Sequence, residues 1–176
     1  TVFFTWHNEQ LWGTEMGRDL LGDNIPPDEV NVIQSGKDYG WPFCYGQKVH
    51  DKKFDSSSAA ATRCKNSTPA KIDLQAHSAP LGLTFVTDPT WPADWQNDLI
   101  VAYHGSWNRT TPTGYMLVRH KFSADGKYEG VEEFITGWLA GSGALGRPVD
   151  VVFNGADLYV SDDRAGAIYR VSPLVE

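Results

Sequence analysis

The sequence predicts an all-β fold, a partial β-propeller with just under three blades of four short strands each. Its 17 glycines, 10 prolines and 7 tryptophans are typical of short aromatic strands joined by many turns. Segments with strand character recur along the chain, and no stretch sustains the 3.6-residue apolar period of a helix. One arrangement of strands and turns also occurs three times, which favours blades over other β folds.

The predicted strands are short, and nearly every gap between them contains Gly, Pro, Asn or Asp. They are residues 2–6, 10–14, 29–33, 81–86, 98–103, 114–120, 131–135, 149–153, 157–161 and 167–171. Helix is expected only as one short turn at 92–96.

The repeat consists of two strands, a polar segment and a third strand, and its copies are spaced by about 70 residues. We therefore expect blades at approximately 1–78, 79–145 and 146–176, the last one incomplete. A β-sandwich with coincidentally similar strands is the alternative. Because propellers close with about four to eight blades, we expect a partner: either a missing N-terminal half or a second copy in a homodimer.

The net charge of −7 argues against a nucleic-acid partner, which normally requires a basic face. No run of 18 apolar residues is present, so no membrane span is expected. The sequence opens in a predicted strand without an initiator Met, and we expect this terminus to be processed or cut.

Polar residues concentrate in the loops that a propeller gathers at one mouth of its channel. These loops are 15–19, 104–109 and 162–164 after second strands, and 77–80 and 146–148 before first strands. Their arginines, histidines and carboxylates suit an anionic ligand together with a divalent cation. Asp23, Asp28 and Glu29, around Pro26-Pro27, are expected to cap turns in solvent.

Seven motifs occur in order along the chain. They are LWGTEMGRD at 11–19, LGDNIPPDEVN at 21–31, YGWP at 39–42, HSAPLGL at 77–83, HGSWNR at 104–109, GRPVDV at 146–151 and DDRAGAIYR at 162–170. Together they resemble the soluble glucose and L-sorbosone dehydrogenase family that depends on pyrroloquinoline quinone (PQQ), with the sorbosone-type branch the more similar. The resemblance implies the C-terminal half of a six-bladed propeller whose parent oxidises a sugar substrate at C1, using PQQ and Ca²⁺.

The resemblance also implies roles for particular residues. Backbone carbonyls at Gly17 and Arg18 would bind Ca²⁺, and Arg147 would pair with a PQQ carboxylate. His104 or Arg109 would replace a cofactor-binding lysine of the family, and His77 would either line the cofactor pocket or be packed by hydrogen bonds.

The family's catalytic base lies upstream of residue 1. No catalytic residue is therefore expected in this chain, and the chain alone is expected to be inactive. A propeller-derived module that binds a carbohydrate or a protein without catalysis is the alternative.

Cys44 and Cys64 are the only cysteines. Their sequence context allows either two buried thiols in a cytosolic protein or one disulfide in an exported protein. The resemblance implies a periplasmic or secreted location and so favours the disulfide.

Overall fold

The computed structural model describes residues 3–173, which form mainly antiparallel β-sheet. In chain order the strands are β1 (Phe4–His7), β2 (Gln10–Glu15), β3 (Asp28–Ile33), β4 (Cys44–Tyr45), β5 (Val49–His50), β6 (Ile72–Leu74), β7 (Pro80–Phe85), β8 (Leu99–Tyr103), β9 (Met116–Phe122), β10 (Tyr128–Ile135), β11 (Leu139–Ala140), β12 (Gly143–Ala144), β13 (Pro148–Asn154), β14 (Asp157–Asp162) and β15 (Ala167–Val171).

Within residues 3–173 the strands form three larger sheets and two small hairpins. Sheet 1 has the order β1-β2-β3-β6, sheet 2 the order β7-β8-β9-β10, and sheet 3 the order β13-β14-β15. The hairpins are β4-β5 and β11-β12. Each predicted strand overlaps an observed one, although the predicted strand 2–6 begins at Val2, outside the described residues.

One helix contradicts the expectation of a single short turn. Besides the expected 3-10 turn at Ala93–Trp95, the insertion in sheet 1 contains α1 (Ser58–Asn66). Ser57 caps this helix by accepting a hydrogen bond from the backbone N–H of Ala60 at 3.1 Å. Three consecutive alanines favour helix, and basic residues in the last turn suit its negative end. The prediction for this segment was therefore wrong.

The expected disulfide is confirmed. Cys44 in β4 is joined to Cys64 in α1, with 5.6 Å between their Cα atoms, and both residues are buried. The bridge attaches the helix of the insertion to the β4-β5 hairpin.

In sheet 2, β7, β8 and most of β9 are buried on both faces. One face packs Phe85 and Val101 against Trp12 and Val30 of sheet 1. The other packs Ile100 and Leu117 against residues of sheet 3 that include Leu158 and Val160. This double burial explains why all five residues of β8 are apolar and buried, in place of the apolar–polar alternation of a half-exposed strand.

The close contact between sheets 2 and 3 requires Gly82 in β7. A Cβ atom at Gly82 would lie only 2.9 Å from the backbone nitrogen of Val151 in β13. The two strands can approach this closely only without a side chain there.

Sheets 1 and 3 each carry large apolar side chains exposed to solvent. Phe4 and Trp6 are exposed on β1, and Val152 and Ile168 are exposed on sheet 3. These three sheets do not close into a ring within residues 3–173. No helix among those residues is long and apolar enough to cross a bilayer.

Replacing both cysteines by serine should lower the free energy of unfolding by about 3 kcal/mol, because the bridge restricts a loop of about 20 residues in the unfolded chain. Urea unfolding measures the change, and alkylation of the unreduced wild type should label neither cysteine. Equal stability of the double variant and the wild type would show that the bridge does not constrain the unfolded chain.

Candidate functional site

The loops at one edge of the three sheets contact one another. We call this edge the mouth; it comprises residues 15–19, 77–80, 104–109 and 146–148. The backbone N–H of His104 donates to the carbonyl of Ala79 at 3.0 Å, and that of Gly105 donates to the carbonyl of Ser78 at 2.9 Å. The Nε of Arg147 donates to the carbonyl of His104 at 3.1 Å. Backbone and side-chain hydrogen bonds therefore connect the loops of sheets 2 and 3.

Asp28 connects sheet 1 to the same network. Its carboxylate accepts hydrogen bonds from the backbone N–H groups of Gly17, at 2.8 Å, and Ala79, at 2.9 Å. Asp28 is only 1% exposed, and this burial raises its pKa to about 6, against the opposing effect of the two N–H donors. Sequence analysis placed Asp28 at a solvated turn; it does cap backbone N–H groups, but in the interior.

Arg147 and His104 lie together where sheets 2 and 3 meet. Besides its bond to His104, the guanidinium of Arg147 donates through Nη2 to the carbonyl of Gly105 and lies 5.4 Å from the ring centroid of Tyr115. Its Nη1 has no hydrogen-bond acceptor among residues 3–173. The Nε2 of His104 lies 3.0 Å from the carboxylate of Asp163. Arg147 is thus held in place with donors left over, which fits a carboxylate-bearing ligand.

His77 and Arg109 lie on the opposite flank, beside sheet 1. The buried His77 directs Nε2 to the carbonyl oxygens of Gly22, at 2.8 Å, and Ile25, at 3.2 Å. Arg109 donates to the Oδ1 of Asn24 at 3.1 Å. Both side chains hold the segment that follows β2. The structure thus separates the four predicted cofactor residues into two pairs.

The two predicted metal-binding residues follow β2. The side chain of Arg18 forms a bidentate ion pair with Asp51, at 2.7 and 3.2 Å, and so is engaged by the insertion. The carbonyls of Gly17 and Arg18 accept no hydrogen bond within the described part of the chain. Two free carbonyl oxygens suit a hard cation such as Ca²⁺. Residues 3–173 contain no group of three or more His, Cys, Asp or Glu side chains that could hold a metal ion.

Beside Gly17 lies a pair of carboxylates. Glu15 and Glu29 are directly opposite each other on β2 and β3, and Asn31 donates to both, at 3.4 and 3.0 Å. Burial, followed by repulsion from Glu29, raises the pKa of Glu15 to about 7. The carboxyl group of Glu15 therefore changes its charge close to neutral pH.

The model of the TrAA12-like family matches residues 19–173. The chain belongs to the TrAA12-like family. The match includes four of the six residues expected at the cofactor and the metal, namely His77, His104, Arg109 and Arg147. Gly17 and Arg18 immediately precede it.

Individual relatives of this TrAA12-like chain agree with that assignment. An uncharacterised protein of Borreliella burgdorferi is 34% identical over 178 residues, which cover 97% of this chain and 46% of that protein. A pyrroloquinoline quinone-dependent pyranose dehydrogenase of Coprinopsis cinerea is 30% identical over 129 residues, covering 62% and 17%. This chain therefore spans less than half the length of either relative.

A solved structure shows the same fold. The holo form of the PQQ domain of pyranose dehydrogenase from Coprinopsis cinerea superposes with a TM-score of 0.67 at 22% identity, covering 94% of this chain and 51% of that one. The expected similarity to PQQ-dependent sugar dehydrogenases is thus confirmed at the level of the family and the fold.

Glu15→Gln should make the free energy of unfolding less dependent on pH between about 4.5 and 7. Because the pKa of Glu15 is raised in the folded state, its contribution to stability is present below about pH 4.5 and is lost as the pH rises through 7. The variant should therefore gain more stability over the wild type at pH 8 than at pH 5.

Urea unfolding at the two pH values measures this difference. Glu129→Gln is the matched control, because it removes the same charge from an exposed position on β10. If Glu15→Gln and Glu129→Gln changed the pH dependence equally, Glu15 would not carry the raised pKa.

Proposed function

We propose that this chain is the C-terminal half of an exported, PQQ- and Ca²⁺-dependent sugar dehydrogenase of the sorbosone type, which oxidises an aldose-like sugar at C1. The observation that carries the proposal is the environment of Arg147. Its guanidinium is fixed at the mouth through Nε and Nη2, and its Nη1 donors remain available for a ligand. The similarity to a pyranose dehydrogenase that depends on PQQ supports the same cofactor and substrate class. The disulfide supports export.

In this proposal the three sheets are three blades of a six-bladed propeller, at approximately 1–78, 79–145 and 146–176. The exposed apolar faces of sheets 1 and 3 are then the surfaces that contact further blades. Those blades belong either to the N-terminal half of the same protein or to a second copy related by a two-fold axis. The length of the relatives supports the first of these partners.

The residues at the mouth then bind and orient the cofactor. Bound here, PQQ would supply a two-electron acceptor, and Ca²⁺ a Lewis acid. The planar guanidinium of Arg147 would pair with one PQQ carboxylate, and the carbonyl oxygens of Gly17 and Arg18 would hold the cation. His104, kept close to Arg147 by the carbonyl contact, is held by Asp163 on its other side. His77 and Arg109 keep the loop after β2 in position.

The catalytic base is proposed to come from the upstream half. The two histidines at the mouth are both engaged, His77 with two backbone carbonyls and His104 with Asp163. The Nε2 of each ring is therefore used to hold a neighbouring segment in place. The same observation favours the second candidate, a module that binds a carbohydrate or a protein without turnover. In either case the chain alone is expected to bind ligands and not to oxidise sugar.

Arg147→Gln should weaken PQQ binding by about tenfold or more, because a charge-assisted pair with a carboxylate is lost. The PQQ affinity of Arg147→Lys should lie between those of Arg147→Gln and the wild type, since lysine keeps the charge and loses the planar fork. Equilibrium dialysis with Ca²⁺ present, read by the absorbance of the quinone, measures the affinity.

Arg170→Gln is the matched control, because Arg170 is exposed on β15 and its nearest carboxylate, that of Asp157, is 3.9 Å away. Equal affinities of the Arg147→Gln and Arg170→Gln variants, both with unchanged melting temperature, would remove Arg147 from the cofactor site.

A further inference from the structure

The loop that follows β8 is tightly anchored around one exposed side chain. On one side of Trp107, the backbone N–H of Ser106 donates to the carbonyl of Thr113 at 2.9 Å, and the N–H of Thr113 donates back to the Oγ of Ser106 at 3.0 Å. On the other side, Asn108 donates through Nδ2 to the carboxylate of Asp19 at 2.7 Å. Trp107 itself is 71% exposed. A fixed backbone therefore presents an uncovered indole at the mouth.

The indole borders a cleft with an unsatisfied acceptor. Trp107 lines this cleft together with Met16, Asp28 and Asn108. The Oδ1 of Asn108 is buried and has no hydrogen-bond partner within residues 3–173. A buried acceptor without a donor is costly unless a ligand supplies one. The cleft thus combines a flat apolar surface with an acceptor that requires a hydroxyl or N–H group.

The charges around the cleft distinguish between ligands. The carboxylate of Asp19, about half exposed, is bonded to Asn108 on the side of the loop that faces sheet 1. Arg147 contacts the other end of the loop, at His104 and Gly105. The Asp19 carboxylate attracts hydroxyl donors, so its side of the cleft suits a polyol. Gly17, whose carbonyl is proposed to hold Ca²⁺, lines the same cleft, which would place the polyol next to the cofactor.

We propose that Trp107 is the platform on which the pyranose ring of the substrate stacks, with Asn108 Oδ1 and the Asp19 carboxylate accepting hydrogen bonds from its hydroxyl groups. A pyranose ring has an apolar face of C–H groups and a rim of hydroxyls, which match the indole and the two acceptors. The inference rests on the proposed function and adds to it the side chain that recognises the sugar ring.

Saturation-transfer NMR with D-glucose and the acyclic polyol D-sorbitol tests this role in the 176-residue chain. The chain should bind glucose in preference to sorbitol, because sorbitol has similar hydroxyls but no ring face. Trp107→Ala should weaken glucose binding by about tenfold, and Trp107→Phe by less, because an aromatic surface remains.

Trp6→Ala is the matched control and should bind glucose as the wild type does. Trp6 is 69% exposed and pairs with Leu11 next to the β1-β2 turn, at the opposite end of sheet 1 from Gly17. Melting temperatures should be unchanged, because both indoles are largely exposed. Affinity for PQQ, measured separately by dialysis, should be the same in every variant.

The outcomes separate this inference from the proposed function. Equal glucose binding by Trp107→Ala and Trp6→Ala, or PQQ binding by a chain that binds no glucose, would overturn the role of Trp107 and leave the proposed function standing. Loss of PQQ affinity alone in Trp107→Ala would also overturn it, because the indole would then contact the quinone. Glucose binding that depends on Trp107 in a chain that binds no PQQ would support the platform and reject the dehydrogenase.

Discussion

The buried carboxylate of Asp28 is the constraint on which the geometry of the mouth depends. It accepts hydrogen bonds from the backbone N–H groups of Gly17 and Ala79. These residues lie in loops of two different sheets, 62 positions apart in the sequence. The carbonyl of Ala79 in turn accepts a hydrogen bond from the backbone N–H of His104. The carbonyl of His104 accepts one from the Nε of Arg147. One side chain of sheet 1 is thus connected, through two backbone groups, to the arginine proposed to bind the cofactor.

This arrangement has an electrostatic cost that the fold tolerates. Burial raises the pKa of Asp28 to about 6, so above that pH the fold retains a charge that would be better solvated in water. The carboxylate nevertheless has two acceptor oxygens, one for each N–H group, and no neutral side chain of the same shape offers both. We infer that the cost is accepted because the mouth loops must be fixed relative to one another.

The strands could be predicted from the sequence, and several other elements could not. Alternating or continuous apolar residues between turn residues located β2, β8 and β14 within about two residues. Ile72–Leu74 is too short to show any period, so β6 was missed although it completes sheet 1. Helix α1 could have been recognised from Ser57 followed by a run of alanines, which is an N-cap signal.

The sequence motifs predicted which residues belong to the candidate site, but not the contacts that these residues make with distant parts of the chain. The motifs pointed to Arg147 and His104, which the structure brings together, but they could not show that the ring of His77 is bonded to Gly22 and Ile25, more than 50 positions away. Nor could they show that Trp107 is exposed, because tryptophan is highly buried on average. The burial of Asp28 was not predicted, because its two partners are backbone N–H groups, which leave no mark on the sequence.

Amide hydrogen exchange in the wild type and in Asp28→Asn tests this dependence most directly. An amide side chain offers one acceptor oxygen and turns its NH₂ group towards the second N–H. At pH 8 the account predicts that Gly17 or Ala79, or both, lose protection by about tenfold or more, while Ile100 and Val101 in the fully buried β8 stay protected. Unchanged protection of both Gly17 and Ala79 would show that the mouth is ordered without Asp28 and would contradict the account.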